Sequence, residues 1–576
     1  MQALSGETRA EHLRRMAAER VDVCVIGGGI TGAGVALEAA SRGASVALIE
    51  RGDFASGTSR WSTKLVHGGI RYLPQGHVAL VREALHERAT LLKIAPHLVW
   101  PLAFVLPIYA TTRRPIGVPV SLPRGIGVGL AMEIGLTAYD VLAGKENIAR
   151  HRHIPADEAV RDVPGLRTDG LKSAFVFSDA GTNDTKLVAT IIRTAVEQGA
   201  LVANYTEATG FVQERGRIAG VEVRDTITGA ALTIAARHVV NATGVWAEHV
   251  ESLGTRDPQV QVLPAKGIHL VVDAAKVGVT NDAVVLPETE DGRLIFIVPW
   301  QGRAIIGTTD TPGGDIEHPR ADADEIAFVL RTANGSIRAQ LTEADIISTY
   351  AGYRPLVRAR DGAKSAALAR THAVIPSPNG LVTIVGGKLT TYRRMAQDTL
   401  DTLELHGLNI RASITDHLPL AGADGYGHWK RTLLAEAAKR GLDAEVAAHL
   451  LQSYGSDAPL ILAMIDNDAL LAARMAPDLP VLFAEALFAA RYEMAMTVDD
   501  VLARRTRLSL IDRAHGFTAA PDVAAILGDA LGWDDAERAR QVAAYRTTVA
   551  DLHMPSAAPE HATINAATHE GELQNC

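Results

Sequence analysis

Residues 22–50, "DVCVIGGGITGAGVALEAASRGASVALIE", run apolar, then glycine-rich, then small-residue, then apolar again. Val23, Val25 and Ile26 read as a buried parallel strand, and the small residues after them as a helix packed closely on a sheet. "RHVVNATG" (237–244) and "GLVTIVGGK" (380–388) are again short apolar strands ending at glycine. They fit the same sheet, re-entered after long insertions. Between them, "LPAKGIHLVVD" and "RLIFIVPWQGRAIIGTTD" alternate apolar and polar positions with turn signals. That pattern predicts an antiparallel sheet in a second, α+β layer. From about 426 the period becomes helical, in Ala-, Leu-, Glu- and Arg-rich stretches that follow a Gly/Asp-rich joint, "LAGADGYG" (420–427). No internal repeat is visible.

Length and composition narrow the classes. At 576 residues the chain exceeds one compact core, so two or three domains are expected. A net charge of -9 argues against a nucleic-acid binder, which needs a basic face. Two cysteines, Cys24 and Cys576, provide neither a disulfide framework nor a thiolate metal site, and no metal is expected. The charged N-terminus lacks the apolar core of a secretory signal, and no window of about 18 uninterrupted apolar residues predicts a membrane span. These features suit a cytoplasmic protein. Residues 116–142 are interrupted by prolines, Arg124 and Glu133, and are expected to form an apolar surface rather than a span.

Gly27, Gly29 and Gly32 form G-x-G-x-x-G directly after a strand and at the opening of a helix. Gly27 permits the turn, Gly29 lets backbone approach a pyrophosphate, and Gly32 lets helix and strand close up. Glu50 ends the next strand, where a carboxylate accepts from ribose hydroxyls. NAD and FAD remain open on this fingerprint alone. Three later features favour FAD: the hydroxyl-rich "SGTSRWSTK", a second glycine turn "NATG", and "VGGKLTTYRRMAQDTL", which opens a late helix at Gly386-Gly387. A helix N-terminus aimed at a flavin stabilises the charge of its reduced form.

"DVCVIGGGITGAG", "TSRWSTKLVHGGIRYL", "APHLVWPLAFVLP", "VNATGVW", "KGIHLVV", "IGTTDT", "AGYRPL" and "VGGKLTTYR" follow one another in an order that resembles the FAD-dependent glycerol-3-phosphate dehydrogenases, part of the wider D-amino-acid-oxidase-like flavoprotein group. The likeness covers residues 20 to 405, and the helical region with "ARRTRL" is similar to that family's C-terminal domain. It implies an α/β fold. A Rossmann-like FAD-binding domain would comprise 20–100, 145–260 and 350–410, with an inserted substrate-binding cap at 101–144 and 261–349. An all-α domain would span 415–552, with flexible termini at 1–19 and 553–576. It also implies oxidation of sn-glycerol 3-phosphate to dihydroxyacetone phosphate, a membrane quinone as acceptor, peripheral attachment to the inner face of the cell membrane, and a homodimer.

On those motifs the cofactor contacts fall at Gly27, Gly28, Gly29, Gly32, Glu50, Thr58, Ser59, Ser62, Lys64, His67, Gly68, Gly69, Thr243, Gly244, Gly386, Gly387, Lys388, Leu389 and Thr390. The substrate contacts fall at Arg71, Tyr72, His269, Arg354, Lys388 and Thr391. Arginine suits a phosphate clamp because its fork matches phosphate oxygens and its charge does not vary with pH. His269 suits a base on the C2 hydroxyl. Arg354 could instead stabilise the developing alkoxide, and these two roles stay open. Three rivals also stand: an oxygen-using oxidase of the same substrate, another flavin oxidase of the wider group, and a non-catalytic flavin-bearing protein. Candidate membrane surfaces are 116–142 and the helices near "ARRTRL", with subunit packing as the alternative for either.

Overall fold

The computed structural model describes residues 2–118, 127–286, 294–359 and 371–553. Two sheets form its frame. In the first, Val21–Ile26 lies between Val46–Ile49 and Ala231–Asn241, all parallel, and Leu381–Gly386 continues the parallel run beyond Asn241. The helix Ile30–Ser41 covers one face, packed on the late helix Tyr392–Leu405 and on Asp184–Glu197. Val23, Cys24 and Val25 are wholly buried, as expected of a strand covered on both faces.

The second sheet is largely antiparallel. Its centre is Val260–Asp273, paired on one side with Arg303–Gly307 and on the other with Ile346–Ala359. Farther out, Val99–Tyr109 pairs with Leu171–Thr182, which also takes in Leu65–Val66. The expected fold class holds, but its boundaries shift. Segments 65–66, 99–100, 171–182 and 350–359, assigned from sequence to the nucleotide domain, are ladder strands of the second sheet. Their pairing partners lie far away along the chain, so local apolar patterning could not assign them to a sheet.

The N-terminus also departs from expectation. Residues 1–19 were expected to be flexible, yet Gly6–Ala18 is a helix capped by Ser5, whose side chain accepts from the Thr8 N–H. Arg9, His12, Leu13 and Met16 share one buried face at helical spacing. Arg9 pairs with Asp225 at 2.5 Å, and the Val202 N–H donates to His12 Nδ1 at 3.1 Å. Of the 553–576 tail, all but His553 lies outside the described residues. The helical domain runs from Tyr426–Ala438 to Asp535–His553 as expected, and packs against the second sheet through one continuous core.

Candidate functional site

The nucleotide end is built on backbone. Gly29 precedes the helix Ile30–Ser41 without a side-chain cap, so the first-turn N–H groups face the loop. Gly27 has φ +110°, and a Cβ on Gly32 would lie 1.8 Å from the Gly27 carbonyl, so side chains are excluded at both positions. Glu50 Oε2 accepts from Gly28 N–H at 2.7 Å and Oε1 from Gly52 N–H at 2.9 Å. Burial raises its carboxyl above the usual range, against the pull of those two amides. Ser59 Oγ sits at the same helix end, accepting from Ile30 N–H.

Three other predicted segments converge nearby. The loop His67–Gly69 leaves the short strand Leu65–Val66, and its His67 N–H donates to Thr390 Oγ1 at 3.2 Å. Gly68 N–H donates to the buried Asp179. Gly386 and Gly387 both have positive φ and deliver Lys388 to the start of a 3-10 turn, Leu389–Thr391, that runs into the late helix. Gly244 opens another short turn beside Thr243, whose hydroxyl donates to Asn241.

Several residues expected to contact the substrate lie next to this loop. Lys388 Nζ sits 4.3 Å from the Tyr72 ring centroid, and the exposed Arg71 donates from Nη2 to the Tyr72 hydroxyl at 2.8 Å. No carboxylate pairs with Arg71 among the described residues. Arg354 donates from Nη1 to Asp310 at 3.0 Å and from Nη2 to Thr308 Oγ1 at 3.2 Å. Burial pushes its guanidinium below the ordinary value, and the nearby Arg71 adds to this against Asp310. Arg71, Arg354 and Lys388 thus bring three cationic groups around Tyr72, a set of charges suited to a dianion.

His269 lies deeper, 2% exposed, stacked on Tyr350 with centroids 4.6 Å apart and Nε2 2.9 Å from Thr63 Oγ1. Burial, then Lys64 and Arg354, hold its pKa well below 6.5, so the imidazole is neutral. His67 is likewise pushed down to about 3 by burial, Lys388, Arg71 and Arg88.

Four of the residues expected at the cofactor or substrate engage other groups of the protein. Lys64 is fully buried, donating to Asp184 at 2.5 Å and to the Arg60 carbonyl at 2.6 Å. Burial brings its ammonium down to about 7 despite the carboxylate. Ser62 spends its hydroxyl on the same Asp184, and Thr58 donates to the Tyr353 carbonyl. Thr391 is buried and its hydroxyl turns back to the Lys388 carbonyl. In each case the competing partner is remote in sequence or belongs to the backbone of its own turn. Sequence reasoning missed Thr63, Asp179 and Asp184 as organising residues. Their only sequence signal was position: Thr63 and its neighbours sit inside "STKLVHGG", and the two aspartates flank "AGTN".

Residues 22–393 match the FAD dependent oxidoreductase family, and 413–538 match the C-terminal domain of alpha-glycerophosphate oxidase. The chain is 38% identical over 561 residues to Glycerol-3-phosphate dehydrogenase 2 of Mycobacterium tuberculosis, covering 97% of this chain and 93% of that protein. It belongs to the FAD-dependent glycerol-3-phosphate dehydrogenase family.

Among glycerol-3-phosphate dehydrogenases, the human mitochondrial protein is 35% identical over 542 residues, covering 90% of this chain and 72% of that protein. The solved glycerol-3-phosphate dehydrogenase of Bacillus halodurans, complexed with FAD, superposes with a TM-score of 0.76 at 28% identity, over 95% of this chain and 98% of that one. FAD is the cofactor of the family. The residues here fit it: a glycine-lined helix N-terminus for the pyrophosphate, a carboxylate for the ribose, and a glycine loop beside cationic groups for the ring. Among the described residues no group of His, Cys, Asp and Glu is arranged to hold a metal ion, and no helix is long and apolar enough to cross a membrane.

Proposed function

We propose that this dehydrogenase oxidises sn-glycerol 3-phosphate to dihydroxyacetone phosphate and passes the electrons to a membrane quinone. The observation that carries the substrate assignment is the cluster of Arg71, Tyr72, Arg354 and Lys388 beside the flavin-facing glycine loops. FAD, when bound, supplies the acceptor for the C2 hydride and its two electrons. Arg71 and Arg354 hold the phosphate and orient C2. His269, kept neutral by burial, takes the hydroxyl proton, and Arg354 offsets negative charge growing on that oxygen. The three clustered cations favour a phosphate over the single carboxylate of an amino or hydroxy acid.

Attachment to the inner face of the cell membrane is part of the same reading. The helix Val128–Ala143 supports it: Leu130, Ile134 and Val141 are 66%, 63% and 73% exposed on one face. The rest of the 116–142 candidate, residues 119–126, lies outside the described residues. The second candidate surface, near "ARRTRL", is withdrawn, because Arg504, Arg505 and Arg507 are buried in ion pairs and backbone contacts. The deciding experiment is anaerobic addition of glycerol 3-phosphate to the FAD-loaded enzyme. Bleaching of the flavin band near about 450 nm is expected, and an unchanged spectrum would refute the assignment. Turnover with a quinone analogue should exceed turnover with oxygen; the reverse would make the protein an oxidase.

A further inference from the structure

The imidazole of His269 is confined on both faces. Tyr350 stacks against one, with an interplanar angle of 13°. Gly307 closes the other, where a Cβ would lie 2.3 Å from His269 Cδ2. Packing therefore fixes the plane of the ring. It does not choose between the two orientations related by a half-turn about the Cβ–Cγ bond, which exchange nitrogen and carbon at each edge. A polar contact must settle that orientation. Among the described residues the ring has one hydrogen-bond partner, the Thr63 hydroxyl at Nε2, while Nδ1 is buried with none.

Thr63 is itself held on both flanks. The Tyr350 hydroxyl donates to the Ser62 carbonyl at 2.9 Å, so the residue that stacks on the imidazole also grips the chain beside Thr63. Ser62 Oγ donates to Asp184 and accepts from Lys64 N–H. Lys64 takes a left-handed backbone, φ +62°, and locks its ammonium onto Asp184 and the Arg60 carbonyl. That same Arg60 carbonyl accepts from Arg507 Nη2 at 3.0 Å. Arg507 belongs to the C-terminal helical domain, follows the short π-helical turn Asp500–Arg505, and is 1% exposed. The arch 60–64 thus has its Arg60 and Ser62 carbonyls and its Ser62 and Lys64 side chains tied down. The hydroxyl of Thr63 is left to the histidine.

We propose that Thr63 is a positioning residue whose hydrogen bond to Nε2 selects the orientation of the His269 imidazole, and that Arg507 of the C-terminal domain holds Thr63 in place. The proposal rests on the reading of His269 as the base. It gives the C-terminal domain a part in the reaction, although no residue of that domain need touch the substrate.

The test is steady-state kinetics on FAD-loaded variants, with flavin content measured on each. Thr63→Val is close to isosteric and should lower kcat about 10- to 100-fold, the usual effect of removing the group that orients a functional histidine, with KM for glycerol 3-phosphate near wild type. Thr63→Ser should restore most of the rate. In a His269→Ala background, Thr63→Val should cost nothing further, since the ring it orients is gone. Arg507→Met should lower kcat in the same direction and lose its effect once Thr63 is valine; if that variant fails to fold, Arg507→Lys, which keeps the charge without the fork, serves instead. Wild-type turnover in Thr63→Val while His269→Ala is impaired would overturn the proposal and leave the base reading standing. Full additivity with His269→Ala, or failure of serine to rescue, would also overturn it. Near wild-type turnover in His269→Ala would sink the base reading itself, and the proposal with it.

Discussion

The His67 N–H donates to Thr390 Oγ1 at 3.2 Å across 323 positions of chain. That bond ties the glycine loop after Leu65–Val66 to the turn that opens the late helix. Thr390 is 1% exposed, and replacing it with valine would leave a partly buried amide without its acceptor. Thr390→Val should cost about 1–3 kcal/mol of stability and weaken FAD retention, while Thr390→Ser should spare both. Thermal midpoints with and without excess FAD read the effect, and equal midpoints for all three proteins would show the bond to be idle.

Arg354 and Arg71 differ in exposure and should differ in consequence. Arg354 is held by Asp310 and Thr308. Arg354→Ala should lower kcat/KM by about 100-fold or more, equivalent to roughly 2.7 kcal/mol, with flavin content unchanged. Arg71→Ala, at the open rim, should raise KM more than it lowers kcat. Wild-type kinetics in Arg354→Ala would remove it from the clamp.

Acid should destabilise the fold through its buried histidines. Burial, with Arg193 and Lys186 adding to it, holds His97 down at about 3, and His269 also lies well below 6.5. Below about pH 6.5 the unfolded chain binds protons that the folded one refuses. The stability is therefore full above that pH and lost as pH falls, by up to about 1.4 kcal/mol per pH unit for each group. Urea midpoints between pH 7.5 and 5 should drop accordingly, and the slope should flatten in His97→Leu. Parallel slopes would contradict the linkage.

The helical domain is fastened by buried charge. Lys186 donates to Glu493 at 2.8 and 3.0 Å, both residues 1% exposed at the side chain. Lys186→Met should cost about 3–5 kcal/mol by leaving a buried carboxylate short of its partner. The double change Lys186→Met/Glu493→Leu should recover much of that. Denaturant titration of the four proteins completes the cycle, and simple additivity would argue against the pairing.

Lipid attachment predicts a surface effect without a kinetic one. Ile134→Glu with Val141→Glu should reduce co-sedimentation with anionic phospholipid vesicles several-fold, while turnover with a water-soluble quinone analogue stays at the wild-type level. Unchanged sedimentation would move the contact elsewhere.

What could be read from the chain and what could not follows from the range of the forces involved. Gly27, Gly32 and Glu50 were legible because strand, turn and helix are contiguous and the glycines answer constraints within a few residues. The antiparallel hairpin of Phe296–Trp300 and Arg303–Gly307, inside "RLIFIVPWQGRAIIGTTD", was legible for the same reason. The Lys64–Asp184 pair was not legible because Asp184 lies 120 residues on. "ARRTRL" reads as a candidate membrane surface because one of its counter-charges, Asp53, lies about 450 positions back along the chain, beyond the nearby Asp499 and Asp500. In the N-terminal helix the spacing of Arg9, His12, Leu13 and Met16 was visible, but two of the four are polar, so an apolar count alone passed over the buried face.

That helix has a consequence for behaviour in solution. Leu201–Ala203 is the last strand of the nucleotide sheet, paired with Val46–Ile49 on one side only. His12 sits across its free side, engaging Val202 where another strand would dock. An unpaired strand edge is a template for intermolecular pairing, and proteins blunt such edges by covering them. The N-terminal helix therefore serves as an edge guard, and removing it should show first as aggregation on concentration, before any loss of catalysis.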